Sequence, residues 1–141
     1  MATNYVPRAV KLDLVDGYKA EILKVALFNM PGAWTLTDND STDTYTEFIA
    51  TYTEVSHANY TAGGYTLVNK TTAYDVNKDA YLDNTVDPSW TNVSFTTTHA
   101  VLYENTNKKI RGIYDLGGSK IVTTGTFSLL LSASGLFSIT S

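Results

Sequence analysis

Cysteine is absent from the 141 residues, which excludes disulfides, thiolate metal sites, cysteine nucleophiles and iron–sulfur clusters. No apolar run reaches the ~18 residues a membrane-spanning helix needs, so no membrane partner is expected. Charge is sparse: only 17% of residues are Asp, Glu, Lys or Arg, and ten basic residues against fourteen acidic ones leave a net charge of −4. A mildly acidic, evenly mixed chain lacks the clustered positive charge on which phosphate-backbone binding rests, so no nucleic-acid partner is expected. The first residues, Met1 to Arg8, lack a basic start followed by an apolar stretch, and no signal peptide is expected there. The Asn-x-Ser/Thr matches at Asn39, Asn59, Asn69 and Asn92 then read as accidents of a sequence rich in Asn and Thr.

What is present favours strands. Thr and Tyr are abundant while Lys and Glu are few, and branched or broad side chains suit a pleated, half-buried surface. A hydrophobic content of 43% can fill one core in a chain of this size. Residues 1–8 have no periodicity and carry Pro7, so they read as an extended N-terminal arm, with a single domain over 9–141. Ala9–Val15 (AVKLDLV) alternates apolar and polar and reads as a strand, with Asp16-Gly17 as its turn. Glu21–Asn29 (EILKVALFN) fits a buried strand or one helical segment equally. Ala33–Thr37 would be a short strand.

One segment has helical spacing. Tyr45, Phe48, Ile49 and Tyr52 fall on one stripe, and Thr44-Tyr45-Thr46-Glu47 has the capping-box pattern. Asp38, Asp40 and Asp43 lie upstream, where a helix N-terminus favours negative charge. A short helix near 43–52 is predicted, packed over an open end of the sheets. Strands follow at 65–74, 90–95, 98–104, 110–115, 120–131 and 136–139, with 75–83 as a polar connection and Asn105–Lys109 as an exposed hairpin loop. Seven to nine short strands with this punctuation predict an all-β, jelly-roll-like two-sheet sandwich with one short helix.

Residue types that could carry chemistry are scattered. Asp75, Asn77, Asp79 and Asp83 resemble the first half of a calcium loop, but Ala80 and Val86 stand where the turn glycine and the bidentate carboxylate belong. A solvated loop with Asn and Asp as turn formers is the plainer reading. Two separate histidines, His57 and His99, supply too few ligands for zinc, and neither lies near a nucleophile elbow. Glu47, Glu54 and Glu104 are spread along the chain with nothing to mark a glycosidase pair. Gly117-Gly118-Ser119-Lys120 lacks the leading glycine of a phosphate loop. No cofactor, metal or catalytic residue is expected. The tyrosines could stack on sugars, or could equally be cross-strand packing partners.

Several segments in order carry a likeness. Lys24-Val25-Ala26-Leu27, then Tyr52–Val55 leading to Tyr60-Thr61-Ala62-Gly63-Gly64-Tyr65-Thr66-Leu67, precede Asp87-Pro88-Ser89-Trp90-Thr91, Ala100–Tyr103, Tyr114-Asp115-Leu116-Gly117-Gly118, Gly125-Thr126-Phe127 and Ser134–Ile139. Over roughly residues 20–140 the chain resembles small virion proteins of tailed bacteriophages, and among them capsid cement (decoration) proteins. The resemblance implies a non-enzymatic β-sandwich, made in a bacterial cytoplasm, that sits on the capsid exterior and binds across neighbouring major capsid protein subunits. Departures fall at Asp87-Pro88-Ser89 and in residues 1–19. Expected capsid contacts are Tyr5, Pro7 and Arg8 in the arm, with Asn107, Lys108 and Lys109 in the loop. Self-association is expected because sheet edges must be covered, with a homodimer placed ahead of a trimer. The alternatives are a neck or tail-fibre adaptor and a glycan-binding receptor module.

Overall fold

A computed structural model describes residues 7–30, 43–74, 80–84, 86–130 and 137–139. Their elements run α1 (Arg8–Lys19), β1 (Leu23–Asn29), α2 (Tyr45–Thr51), β2 (Thr53–Glu54), β3 (Tyr65–Thr66), β4 (Lys70–Tyr74), β5 (Ala80–Asn84), β6 (Ser89–Glu104), β7 (Ile110–Ser128) and β8 (Phe137–Ile139). The fold is all-β with two antiparallel sheets. Among the described residues there are two short helices where one was expected.

Where one domain over 9–141 was expected, contacts gather the chain into two compact units. One comprises Ile22–Thr66 and Pro88–Leu129; the other comprises Met1–Glu21, Leu67–Asp87 and Leu130–Ser141.

In the larger unit β1 is central. It pairs along its length with β6, from Leu23↔Glu104 to Phe28↔His99, and its other edge takes β3 near Lys24 and β2 near Phe28. Val25, Ala26, Leu27 and Phe28 are all fully buried, so β1 is covered on both faces. That is why its sequence reads as an unbroken apolar run rather than an alternation. Fully burying each such aliphatic or aromatic side chain is worth roughly 1.5–3 kcal/mol. β6 and β7 form one long hairpin in which each strand is continuous across what the sequence suggested were two. Between Thr97↔Lys120 and His99↔Asp115, Leu116–Ser119 bulge out of the ladder, with Gly117 and Gly118 both at positive φ.

Helix α2 covers one face of this sheet. Tyr45 and Phe48 join Ala26, Phe28, Met30, Val101 and Tyr103 in the main core. The predicted capping box is present: Glu47 N–H donates to Thr44 Oγ1 at 3.2 Å and Thr44 N–H donates to Glu47 Oε2 at 3.0 Å.

The smaller unit packs α1 on a sheet ordered β4-β5-β8. Two expectations are corrected here. Ala9–Val15 is helix, not strand, and Asp16-Gly17 lies inside that helix. The residues that sit inward are Lys11 and Val15, with Leu12 and Tyr18 half-buried, a spacing of three and four rather than two. Pro7 and Arg8 are likewise not extended arm: Pro7 is the N-cap and Arg8 the first helical residue. A proline fits there because its fixed φ and missing N–H cost nothing at a helix start.

Candidate functional site

The 105–109 loop, one of the two places predicted to make contacts, is held rigidly. Glu104 ends β6 buried at 3% exposure. Its carboxylate accepts from the backbone N–H groups of Asn107 at 2.6 Å, Thr106 at 2.9 Å and Lys109 at 3.4 Å. Burial alone would raise this carboxyl, but the three N–H donors and the Arg111 charge outweigh it and hold it below the usual glutamate value. Lys108 adopts φ 64°, and its Nζ donates to Asn105 Oδ1 at 2.6 Å. The same ammonium lies 5.9 Å from the centre of the Tyr103 ring. The loop's backbone then receives α2: Tyr45 N–H donates to Lys108 O at 2.7 Å, and Thr44 bridges Lys109. Thr106, Asn107 and Lys109 remain exposed. The loop therefore presents Asn107 and Lys109 on a surface fixed from beneath by one carboxylate.

Of the other predicted contacts, Pro7 is exposed at the start of α1 and Arg8 follows it. Tyr5 lies outside the described residues, as do Asp75, Asn77 and Asp79 of the calcium reading and the expected strand at Ala33–Thr37. The arm and loop residues fall in different units.

A second polar cluster, missed at the level of sequence, centres on Glu54 in β2. Its Oε2 accepts from the Tyr45 hydroxyl at 2.6 Å, and its Oε1 accepts from the Tyr60 hydroxyl at 2.8 Å and from Gly63 N–H at 2.8 Å. Tyr60 in turn accepts from Leu27 N–H at 2.9 Å, and the Tyr103 hydroxyl donates to Gly63 O at 2.6 Å. The Tyr45 and Tyr103 rings stack at 4.2 Å. One carboxylate thus ties α2, β2, the 60–64 turn, β1 and β6 together. Burial, reinforced by Glu54, raises the Tyr45 and Tyr60 hydroxyls far above the ordinary tyrosine value, and pushes Tyr103 up to about 12. Gly64 completes the turn at φ 81°, and a Cβ there would stand 1.9 Å from Val25 O. Only glycine allows that approach.

The three acids that sequence could not rank therefore have distinct roles: Glu47 caps a helix, Glu54 joins strands and Glu104 shapes a loop. The signal for Glu104 was available in Glu104-Asn105-Thr106-Asn107, an acid placed to accept from the turn that follows it. Glu54 could not be found this way, because its partners lie nine residues or fewer away yet converge only through β1 pairing.

The histidines also serve local structure. His57 Nδ1 accepts from Asn59 N–H at 3.1 Å, and buried His99 places Nδ1 2.8 Å from Thr98 Oγ1. Among the described residues no group of three or more His, Asp or Glu is arranged to hold a metal ion. Trp90 is buried amid Tyr60, Tyr65 and Phe127, with Phe95 closing the cluster against Tyr60 and Phe127. Among the described residues every tyrosine and tryptophan is buried or partly buried. Comparison with family models, curated proteins and solved structures finds no match for this chain.

Proposed function

We propose that this protein is a structural component of a tailed-bacteriophage particle, a capsid cement protein that binds across neighbouring major capsid subunits on the outside of the head. The observation that carries the reading is the ordered run of motifs from Lys24 to Ile139 in an all-β chain. Within the described residues those motifs are framework: Gly63 and Gly64 form the turn against β1, Trp90 and Phe127 share an aromatic cluster, and Tyr103 closes the core. A cement protein needs shape and affinity rather than a reactive group. The Glu54 and Glu104 carboxylates are committed to holding turns and strands in place, and this suits such a role.

The mechanism is linkage. A ligand that binds the assembled shell and not free subunits stabilises assembly by RT ln(1 + [L]/Kd), about 4 kcal/mol per site at a thousandfold excess over Kd. The preformed 105–109 loop reduces the ordering cost of such binding, and Asn107, Lys108 and Lys109 are its proposed contacts, together with Tyr5, Pro7 and Arg8. The test is co-sedimentation of the purified chain with assembled shells and with free capsid subunits. Binding to shells alone is the expected outcome; equal binding to both, or to neither, contradicts the reading. Copy number per particle separates cement from a neck or tail-fibre adaptor.

A further inference from the structure

Lysine, asparagine and glutamate side chains meet at one place in the smaller unit. Lys70 opens β4 and Asn84 ends β5, and the two are directly opposed in the ladder. Opposed residues project from the same face with Cβ atoms ~4.5–5.5 Å apart, a gap that the flexible four-carbon stem of lysine spans. The Lys70 ammonium donates to Glu21 O, just past the end of α1, and also feels the Glu21 carboxylate. Burial lowers Lys70 from the ordinary lysine value, with the Glu21 charge opposing it. The neutral amine, which is the nucleophile, is therefore easier to reach than on a fully solvated lysine. Asn84 is only 4% exposed. Its Nδ2 donates to Val86 O, while its Oδ1 has no hydrogen-bond partner among the described residues. Buried amides normally have their hydrogen bonds filled, and this one stands across the ladder from an amine.

We propose that this is a site of self-modification, at which Lys70 Nζ and Asn84 Cγ join in an amide bond with Glu21 carrying the proton. The Lys70 ammonium gives a proton to the Glu21 carboxylate, and the neutral amine attacks Asn84 Cγ to form the new C–N bond. Glu21 delivers that proton to Nδ2 as the Cγ–Nδ2 bond breaks, and takes the surplus proton from Nζ, which keeps one. Nδ2 leaves as ammonia and removes the last proton as ammonium. No oxidant, reductant or co-reactant enters the step. Holding amine and amide side by side in the ladder replaces a bimolecular encounter. The product ties β4 to β5 covalently in a chain without cysteine. Among its described residues the smaller unit buries only Lys11, Val15, Leu67, Leu82 and Asn84, and a core that small gains most from a staple.

This modification stands apart from the particle reading and is tested on the isolated full-length chain. Intact mass spectrometry of the parent beside its Lys70→Arg and Asn84→Ala variants is the first readout. A deficit of one ammonia against the sequence mass is expected in the parent alone. Peptide mapping of the parent is the second readout, and it does not depend on how the variants fold. Trypsin is expected to leave the bond after Lys70 uncut, with the peptide that holds Asn84 recovered joined to the one that holds Lys70. Glu21→Gln keeps the shape of the side chain but not its basicity, and is expected to leave most of the chain unjoined. A parent at its full sequence mass, the same deficit in Lys70→Arg, or a deficit that maps away from these two residues would overturn the proposal. A Glu21→Gln chain joined as completely as the parent would overturn the role given to Glu21.

Discussion

Glu54 accepts three hydrogen bonds, one from Tyr45 in α2 and two from Tyr60 and Gly63 in the 60–64 turn, and its removal leaves all three donors without it at once. Glu54→Ala leaves two tyrosine hydroxyls and the Gly63 amide without their acceptor. By the usual cost of unsatisfied, largely buried groups it is expected to lose about 2–3 kcal/mol. Glu54→Gln keeps one acceptor oxygen and should lose about half of that. Urea unfolding of the two variants checks both the size and the order. The tyrosines of this network, with Tyr114 raised outside it by burial alone, set an alkaline limit. Tyr45, Tyr60, Tyr103 and Tyr114 hold their protons more tightly folded than unfolded, Tyr103 and Tyr114 up to about 12. A raised folded pKa contributes stability that is complete below pH 10 and is lost as pH rises through 12. Tyrosinate absorbance is therefore expected to rise in two stages, the second coinciding with loss of near-ultraviolet circular dichroism. A single smooth titration near pH 10 with the fold intact would contradict the network.

Elements differ in how far their sequences announced them. Helix α2 was legible because its signals are local: Thr44 and Glu47 sit three apart, and Tyr45 and Phe48 share a face. Thr44→Ala removes the Oγ1 half of the box while the Thr44 N–H still donates to Glu47; it should cost about 0.5–2 kcal/mol, whereas Thr44→Ser should cost little. A fall in melting temperature for Ala but not Ser is the check. Helix α1 was not legible. AVKLDLV satisfies a period of two, and the choice was made by the packing of α1 against β4 and β5, with Lys11 and Val15 buried, which no seven-residue window contains. Gly17 inside α1, worth roughly 1 kcal/mol against a helix, pointed the wrong way. Strands β6 and β7 were found in pieces, since the Leu116–Ser119 bulge reads locally as a turn although the ladder continues past it. Glu104 was visible as an acid but not as the support of the 105–109 loop. Glu104→Ala is expected to leave the core cooperative while exposing the Thr106, Asn107 and Lys109 amides to faster hydrogen exchange. Unchanged exchange at those three amides would contradict its role.

At the scale of the whole molecule the all-β class followed from composition, because Thr- and Tyr-rich stretches with weak charge have few other stable arrangements. The division into two units did not, since the smaller unit draws on three separate stretches of chain. The proposed function rests on a resemblance in the order of motifs, and the described residues of those motifs include turn glycines and core aromatics that specify shape. The proposed contacts are surface positions that no internal packing dictates, so they must be found by binding. Removing residues 1–8 is expected to weaken shell binding while the larger unit still unfolds at its original temperature. The most direct test of the account is quantitative counting of this chain in purified particles of the kind of phage the proposal assigns it to. The account predicts copies in numbers comparable to the major capsid protein, released when the head is disassembled. Absence from mature heads, or presence only in the few copies of a neck or tail component, would contradict it.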